Sequence, residues 1–122
     1  MAKKILVADD EPDIVKMLSM RLKAQGYEVI AAFDGLQAVR EAYKQRPDLI
    51  LLDIKMPIGD GYTVFENLKR SVQIRLIPII FISALPPREV EEKTAQLGVE
   101  GFVPKPFDSK ELIAKVKKIL SE

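Results

Sequence analysis

Short apolar runs alternate with longer segments of helical spacing along the whole chain. The runs are Ile5-Leu6-Val7, 29–33 (VIAAF), 49–52 (LILL), 77–82 (IPIIFI) and the weaker Gly101-Phe102-Val103. Most lack the apolar–polar alternation of a half-exposed strand, so they predict a parallel sheet covered on both faces. Pro78 falls near the start of its run, where a strand tolerates a residue without an N–H.

The intervening segments predict helices. Pro12 suits a first helical turn, Val15, Leu18 and Leu22 form a buried stripe, and Gly26 is placed to cap the end. Asp34 caps the second helix, whose expected stripe is Leu36, Val39 and Tyr43 and which Pro47 stops. The third follows Asp60-Gly61 and uses Val64, Phe65 and Leu68. The fourth starts at Pro86-Pro87 and ends near Gly98. It has little to bury beyond Val90, Ala95 and Leu97, so it is expected to be the easiest to shift. The fifth opens on Asp108 and Glu111, which resemble a capping box, and carries Leu112, Ile113, Val116, Ile119 and Leu120.

The sum is a (βα)5 chain. It predicts an α/β, doubly wound, flavodoxin-like sandwich with right-handed crossovers and helices on both faces. One common strand order for such a sheet is 2-1-3-4-5. No repeat, low-complexity tract or linker interrupts the pattern, so residues 1–122 read as one domain.

Composition narrows the chemistry. Apolar residues make up 48% and charged residues 30%, the balance of a soluble globular domain. A net charge of +1 gives no bulk attraction to nucleic acid or membrane, and neither is expected as a direct partner. Lys110, Lys115, Lys117 and Lys118 read as a solvated face. The absence of cysteine removes disulfides, thiolate metal sites and a cysteine nucleophile, and suits a cytoplasmic setting. The absence of histidine removes imidazole zinc sites, Ser-His-Asp triads and histidine general bases. The start, MAKKILVADD, has too short an apolar stretch for a signal peptide. No run approaches the roughly 20 apolar residues of a membrane span.

Ligands of open α/β sheets bind beyond the carboxyl ends of the strands, where strand order reverses. There the chain offers Asp9-Asp10-Glu11, Asp34, Asp53, Ser83-Ala84 and Lys105-Pro106. Asp34 is accounted for as a helix cap. In the order 2-1-3-4-5, Asp9, Asp10 and Asp53 converge, and carboxylates so close must bind a cation or hold protons. With oxygen ligands alone the metal is hard: Mg²⁺ first, Mn²⁺ as a substitute, Ca²⁺ less suited to chemistry. Asp10 and Asp53 would hold it, with Asp9 binding directly or through a water. Lys105, the Ser83 hydroxyl and the Ala84 N–H would bind phosphoryl oxygens. Asp53, on the central strand, is the best candidate nucleophile, forming an aspartyl phosphate.

The segments VADDEP (7–12), LLDIKMPIGDGY (51–62), PIIFISA (78–84) and FVPKPF (102–107) together resemble the receiver domain of two-component response regulators. They lie in order through the chain, so the resemblance covers all of it. It implies a phosphoacceptor switch rather than a conventional enzyme, one that catalyses its own Mg²⁺-dependent phosphorylation and dephosphorylation. Asp53 is then the phosphoacceptor, taking its phosphoryl group from a histidine kinase or phosphotransfer protein, which supplies the histidine this chain lacks. Asp9 and Asp10 become the acidic pair, with Asp10 a direct Mg²⁺ ligand and the Lys55 backbone carbonyl another. Ser83 and Lys105 contact the phosphoryl group, and the Lys105–Pro106 bond is cis. On switching, Ser83 moves toward the phosphate and Phe102, at a position where tyrosine is common, turns inward. The readout face is the fourth helix, fifth strand and fifth helix, which serves a downstream protein or a homodimer.

Two departures stand out. Lys55 and Leu85 occupy positions that influence hydrolysis in the family, and neither is a carboxylate or amide that could orient an attacking water. A long-lived phosphoryl group is therefore expected. Gly59 stands where an apolar residue is frequent, which is expected to loosen the loop after Asp53. Other functions fit less well. A phosphatase of the haloacid dehalogenase type wants an acid two residues after its nucleophile, where this chain has Lys55. A flavodoxin-like FMN binder would need a Ser/Thr/Gly-rich loop where this chain has Asp9-Asp10-Glu11. A degenerate receiver, kept only for binding, would not need the full acid, hydroxyl and lysine set.

Overall fold

The computed structural model describes residues 2–97 and 99–121. The elements alternate strictly: β1 (Lys4–Ala8), α1 (Pro12–Ala24), β2 (Glu28–Ala32), α2 (Gly35–Gln45), β3 (Leu49–Asp53), α3 (Gly61–Lys69), β4 (Ile79–Ser83), α4 (Pro87–Leu97), β5 (Gly101–Pro104) and α5 (Ser109–Ile119). The strands form one parallel sheet in the order β2-β1-β3-β4-β5. The doubly wound fold and strand order expected from the sequence are those observed.

The apolar runs lack alternation because both faces are covered. Leu6, Ala8, Ile50, Leu52, Ile79 and Phe81 pack on one side with Val64, Phe65 and Leu68 of α3 and Val90 of α4. Ile5, Val7, Leu49, Leu51, Ile80 and Ile82 pack on the other with Val15, Leu18 and Leu22 of α1 and Leu112 and Val116 of α5. Successive strand residues point to opposite faces, so one chain stretch serves both cores.

Several expectations shift in detail. The strand at 77–82 begins only at Ile79; Pro78 lies outside it, and its carbonyl accepts from the Ile50 N–H at 3.0 Å. The stripe of α2 is rotated: Gly35, Ala38 and Ala42 are buried, Val39 is partly so, and Leu36 and Tyr43 are exposed. Small residues win there because they let the helix lie close to the sheet. The cap of α5 is half a box: Asp108 accepts from the Lys110 N–H at 2.8 Å, not from Glu111. Lys115 leaves the solvated set, since its ammonium donates to the Phe102 carbonyl at 3.1 Å. Gly98, the expected end of the fourth helix, lies outside the described residues. Other caps match: Asp34 accepts from Gln37 N–H, Asp60 from Thr63 N–H, and Gly26 takes φ +93 just past α1. No helix among the described residues is long and apolar enough to cross a membrane.

Candidate functional site

Every strand of the sheet points its carboxyl end to the same edge, and the polar residues follow from there. Asp53 is the last residue of β3 and is paired in register with Ile82. Ser83 ends β4, opposite Pro104 of β5. Asp9 and Lys105 lie one residue past their strands, yet backbone bonds continue the ladder to both: Asp9 N–H to Ala32 O at 3.0 Å, and Lys105 N–H to Ser83 O at 2.7 Å. These bonds hold the two residues at the rim of a rigid sheet. The Lys105–Pro106 bond is cis, as the resemblance implies.

The acids converge as expected. Asp9, Asp10 and Asp53 each offer an oxygen within 4.8 Å of the others. Asp9 is fully buried and Asp53 is 3% exposed, whereas Asp10 faces solvent. Asp9 divides its oxygens. Oδ1 accepts from the Glu11 N–H at 3.0 Å, and Oδ2 meets the Lys105 ammonium at 2.8 Å. Oδ2 is buried, and the Lys105 ammonium is its close charged partner.

Lys105 is central. Its Nζ also lies 3.2 Å from Glu11 and 3.6 Å from Asp53. Burial pulls its pKa down, and contact with Asp9, Asp53 and Glu11 more than offsets this, leaving it above the ordinary lysine value. The effect on Asp53 is opposite in kind. Burial, then the Asp9 charge, pushes its carboxyl from 3.8 up to about 7, against the pull of Lys105. A single ammonium thus falls short of neutralising three acids, and the donor set fits a hard divalent cation with oxygen ligands.

The remaining predicted residues are less engaged. The Ser83 hydroxyl is buried and accepts from the Leu85 N–H at 2.9 Å. Among the described residues no hydrogen bond joins it to the acids or to Lys105. Ala84 is exposed and, with Glu11, Ile14, Met17, Lys105 and Phe107, lines a cavity of about 460 Å³ beside the acids. The Lys55 side chain is exposed, and Leu85 packs partly on the core. Phe102 is half-buried beside Phe81, its register partner.

Two contributions escape a reading of the sequence. Glu11 is the N-cap residue of α1 but makes no side-chain cap bond, and its carboxylate instead engages Lys105. Its neighbour Pro12 signals a helix start, and nothing in the sequence signals this second use. The other is the loop between β3 and α3. Gly59 takes φ +94, a conformation suited to glycine, and lies against Gly35 at the start of α2. Just before Gly59, Pro57 O accepts from the Gly35 N–H at 3.1 Å and Ile58 O from the Leu36 N–H at 3.0 Å, which ties the loop to α2.

Residues 5–117 match the family model of the response regulator receiver domain. Solved structures agree. The signal receiver domain of a signal transduction histidine kinase from Syntrophus aciditrophicus is 36% identical, with a TM-score of 0.89 over 98% of this chain and 91% of that one. The receiver domain of a sensor histidine kinase from Pseudomonas aeruginosa, which has a magnesium ion coordinated in its active site cleft, is 31% identical at a TM-score of 0.90 over the whole of both chains. The chemotaxis protein CheY4 of Vibrio cholerae is 29% identical at a TM-score of 0.90 over 98% of this chain and 99% of that one. With the strand order, the acid cluster and the matched span in agreement, this chain belongs to the response regulator receiver domain family.

Proposed function

We propose that residues 1–122 form one receiver domain that accepts a phosphoryl group on Asp53 from a histidine kinase or phosphotransfer protein, with Mg²⁺ bound beside it. The observation that carries this reading is the buried Asp53 carboxylate between two further acids and the Lys105 ammonium, 3.6 Å away. Asp9, Asp10, Asp53 and the Lys55 carbonyl would hold the ion; the Pseudomonas neighbour has a magnesium ion coordinated in its active site cleft. When bound, it would neutralise charge gathered on the acids and the phosphoryl oxygens.

The chain's own residues do the rest. An Asp53 oxygen forms a bond to phosphorus as the phosphorus–nitrogen bond of the donor phosphohistidine breaks, its electron pair leaving with the imidazole. Lys105 exchanges its contacts with acids for phosphoryl oxygens, where its charge is of greatest use. Ser83 accepts one hydrogen bond at Oγ, so its own hydrogen remains to donate to the phosphoryl group. The Ala84 N–H adds a donor. Movement of Ser83 is then followed by Phe102, which alters the α4–β5–α5 face toward a downstream protein or a second copy. Lys55 and Leu85 offer no carboxylate or amide to orient an attacking water, so the phosphoryl group is long-lived and the chain's own dephosphorylation is slow.

Phosphorylation by acetyl phosphate tests the core of this reading. Metal-dependent mass gain is expected in the wild type and not in Asp53→Asn; equal labelling of the variant overturns it. Mass spectrometry of the phosphorylated protein over time tests the lifetime, and loss within seconds refutes that part.

A further inference from the structure

We infer that Gly35 and the first turn of α2 are a positioning device that holds the loop carrying Lys55, and so set the affinity of the acid cluster for Mg²⁺. The inference rests on the metal site proposed above.

Helix α2 follows β2, an edge strand of the sheet, and contributes no side chain to the acid cluster. Its N-terminal N–H groups nevertheless have specific partners. The Gly35 N–H donates to Pro57 O at 3.1 Å, and the Leu36 N–H to Ile58 O at 3.0 Å. First-turn N–H groups have no partner within their own helix. Here two of them are satisfied by the loop that follows Asp53 and carries Lys55.

The approach is close enough to require glycine. A Cβ on Gly35 would collide with the Gly59 carbonyl oxygen and would lie 2.6 Å from both Gly59 C and Ile58 O. All of these are backbone atoms, so no side chain can swing aside. The other end of the loop is tied in the same way. The Gly61 N–H donates to Ile54 O at 2.7 Å, and a Cβ there would lie 2.5 Å from Asp53 O.

Between these ties the loop holds a conformation it would not choose alone. Ile58 has φ +52, a left-handed setting that a β-branched side chain strongly disfavours. Ile58 is 66% exposed, so burial of its side chain is not what holds it there. Strained backbone of this kind persists where the surroundings over-determine it. The two α2 hydrogen bonds, to Pro57 O and Ile58 O, flank the Ile58 backbone and supply that constraint. Lys55 lies between the fastened Pro57 and Asp53, so displacement of Pro57–Gly59 is transmitted to its carbonyl. Residues that orient metal ligands without touching the metal typically change affinity by about 10–100-fold when altered.

The test is Mg²⁺ titration by calorimetry of wild type, Gly35→Ala and Gly26→Ala. Gly26 has a positive φ but nothing within 4 Å of a Cβ, so Gly26→Ala strains the fold away from the loop. Gly35→Ala should weaken Mg²⁺ binding by about tenfold or more, with Gly26→Ala within about twofold of wild type. At saturating Mg²⁺ the acetyl phosphate labelling rate of Gly35→Ala should recover to near the wild-type value, the mark of lost affinity rather than lost chemistry. A Gly35→Ala affinity within about twofold of wild type, or equal weakening in both variants, overturns the inference. If Gly35→Ala does not fold, the wild type decides: the Gly35 and Leu36 amide resonances must move on Mg²⁺ addition, and unmoved resonances refute it. A wild type that binds no Mg²⁺ overturns the proposed metal site itself, and this inference with it.

Discussion

At Asp53 the fold works against ionisation. The residue ends a strand whose four preceding side chains are all buried, so its carboxyl inherits a position with little water. With its pKa raised from 3.8 to about 7, the folded protein holds a proton there that the unfolded chain has released. Metal-free stability therefore falls as pH rises across that window, because the native state binds more protons than the unfolded one. A tenfold difference in proton affinity between the two states is worth about 1.36 kcal/mol, and sharing of the proton among neighbouring groups reduces the total to about 1–3 kcal/mol. Urea unfolding in chelator should show wild type losing about that much between pH 5 and pH 7.5 relative to Asp53→Asn. A wild type that gains on the variant over this range would contradict the buried, proton-holding Asp53. The acid itself was legible because a charge at the end of LILLD is anomalous for a buried strand. Glu11 was not, because an acid beside a helix-initiating proline has an ordinary use.

Among the elements, α2 shows how periodicity misleads. Leu36, Val39 and Tyr43 are the largest apolar residues of the segment, and they set the apparent stripe. Close packing selects small residues instead: Ala38 and Ala42 lie in the core against the sheet, and Gly35 lies against the loop after β3. Ala38→Leu should accordingly cost about 1–3 kcal/mol through overpacking. Leu36→Ala, at a position 47% exposed, should cost less than about 1 kcal/mol. Denaturant unfolding of the two variants checks this, and the reverse ranking would restore the stripe read from the sequence. For α4 the sequence pattern and the structure agree on weak anchoring. Only Val90 and Thr94 are buried in it, against Leu112 and Val116, with Leu120 just beyond, for α5. Hydrogen exchange should find the amides of Pro87–Leu97 less protected than those of Ser109–Ile119. Equal or greater protection in α4 would remove it as the mobile part of the proposed readout face.

Over the whole molecule, the sheet is a frame that delivers groups from four distant stretches of chain to one edge. Stability and metal binding are then linked: a ligand that binds only the folded state stabilises it. Mg²⁺ at about a hundred times its dissociation constant should add about 2.7 kcal/mol, seen as a rise in Tm at pH 7.5. The rise should be smaller at pH 5, where Asp53 holds a proton, and smaller in Asp53→Asn. A Tm indifferent to Mg²⁺ at pH 7.5 would contradict the proposed site. Element order, the two-faced burial of the strands, and the strand ends that carry Asp9, Asp10, Asp53, Ser83 and Lys105 were all open to a reading of the sequence. They depend on local pattern: run length, helical spacing, caps and breakers, and the residue that ends each run. Beyond the convergence of Asp9, Asp10 and Asp53, folding alone decided which neighbours these groups meet. It placed Lys105 on Asp9 and Glu11, turned α2 onto its small residues, and set Gly35 against the loop after Asp53. Those contacts join residues far apart in the chain, and their geometry is fixed by how closely backbones approach once the whole sheet is covered, which no local pattern records.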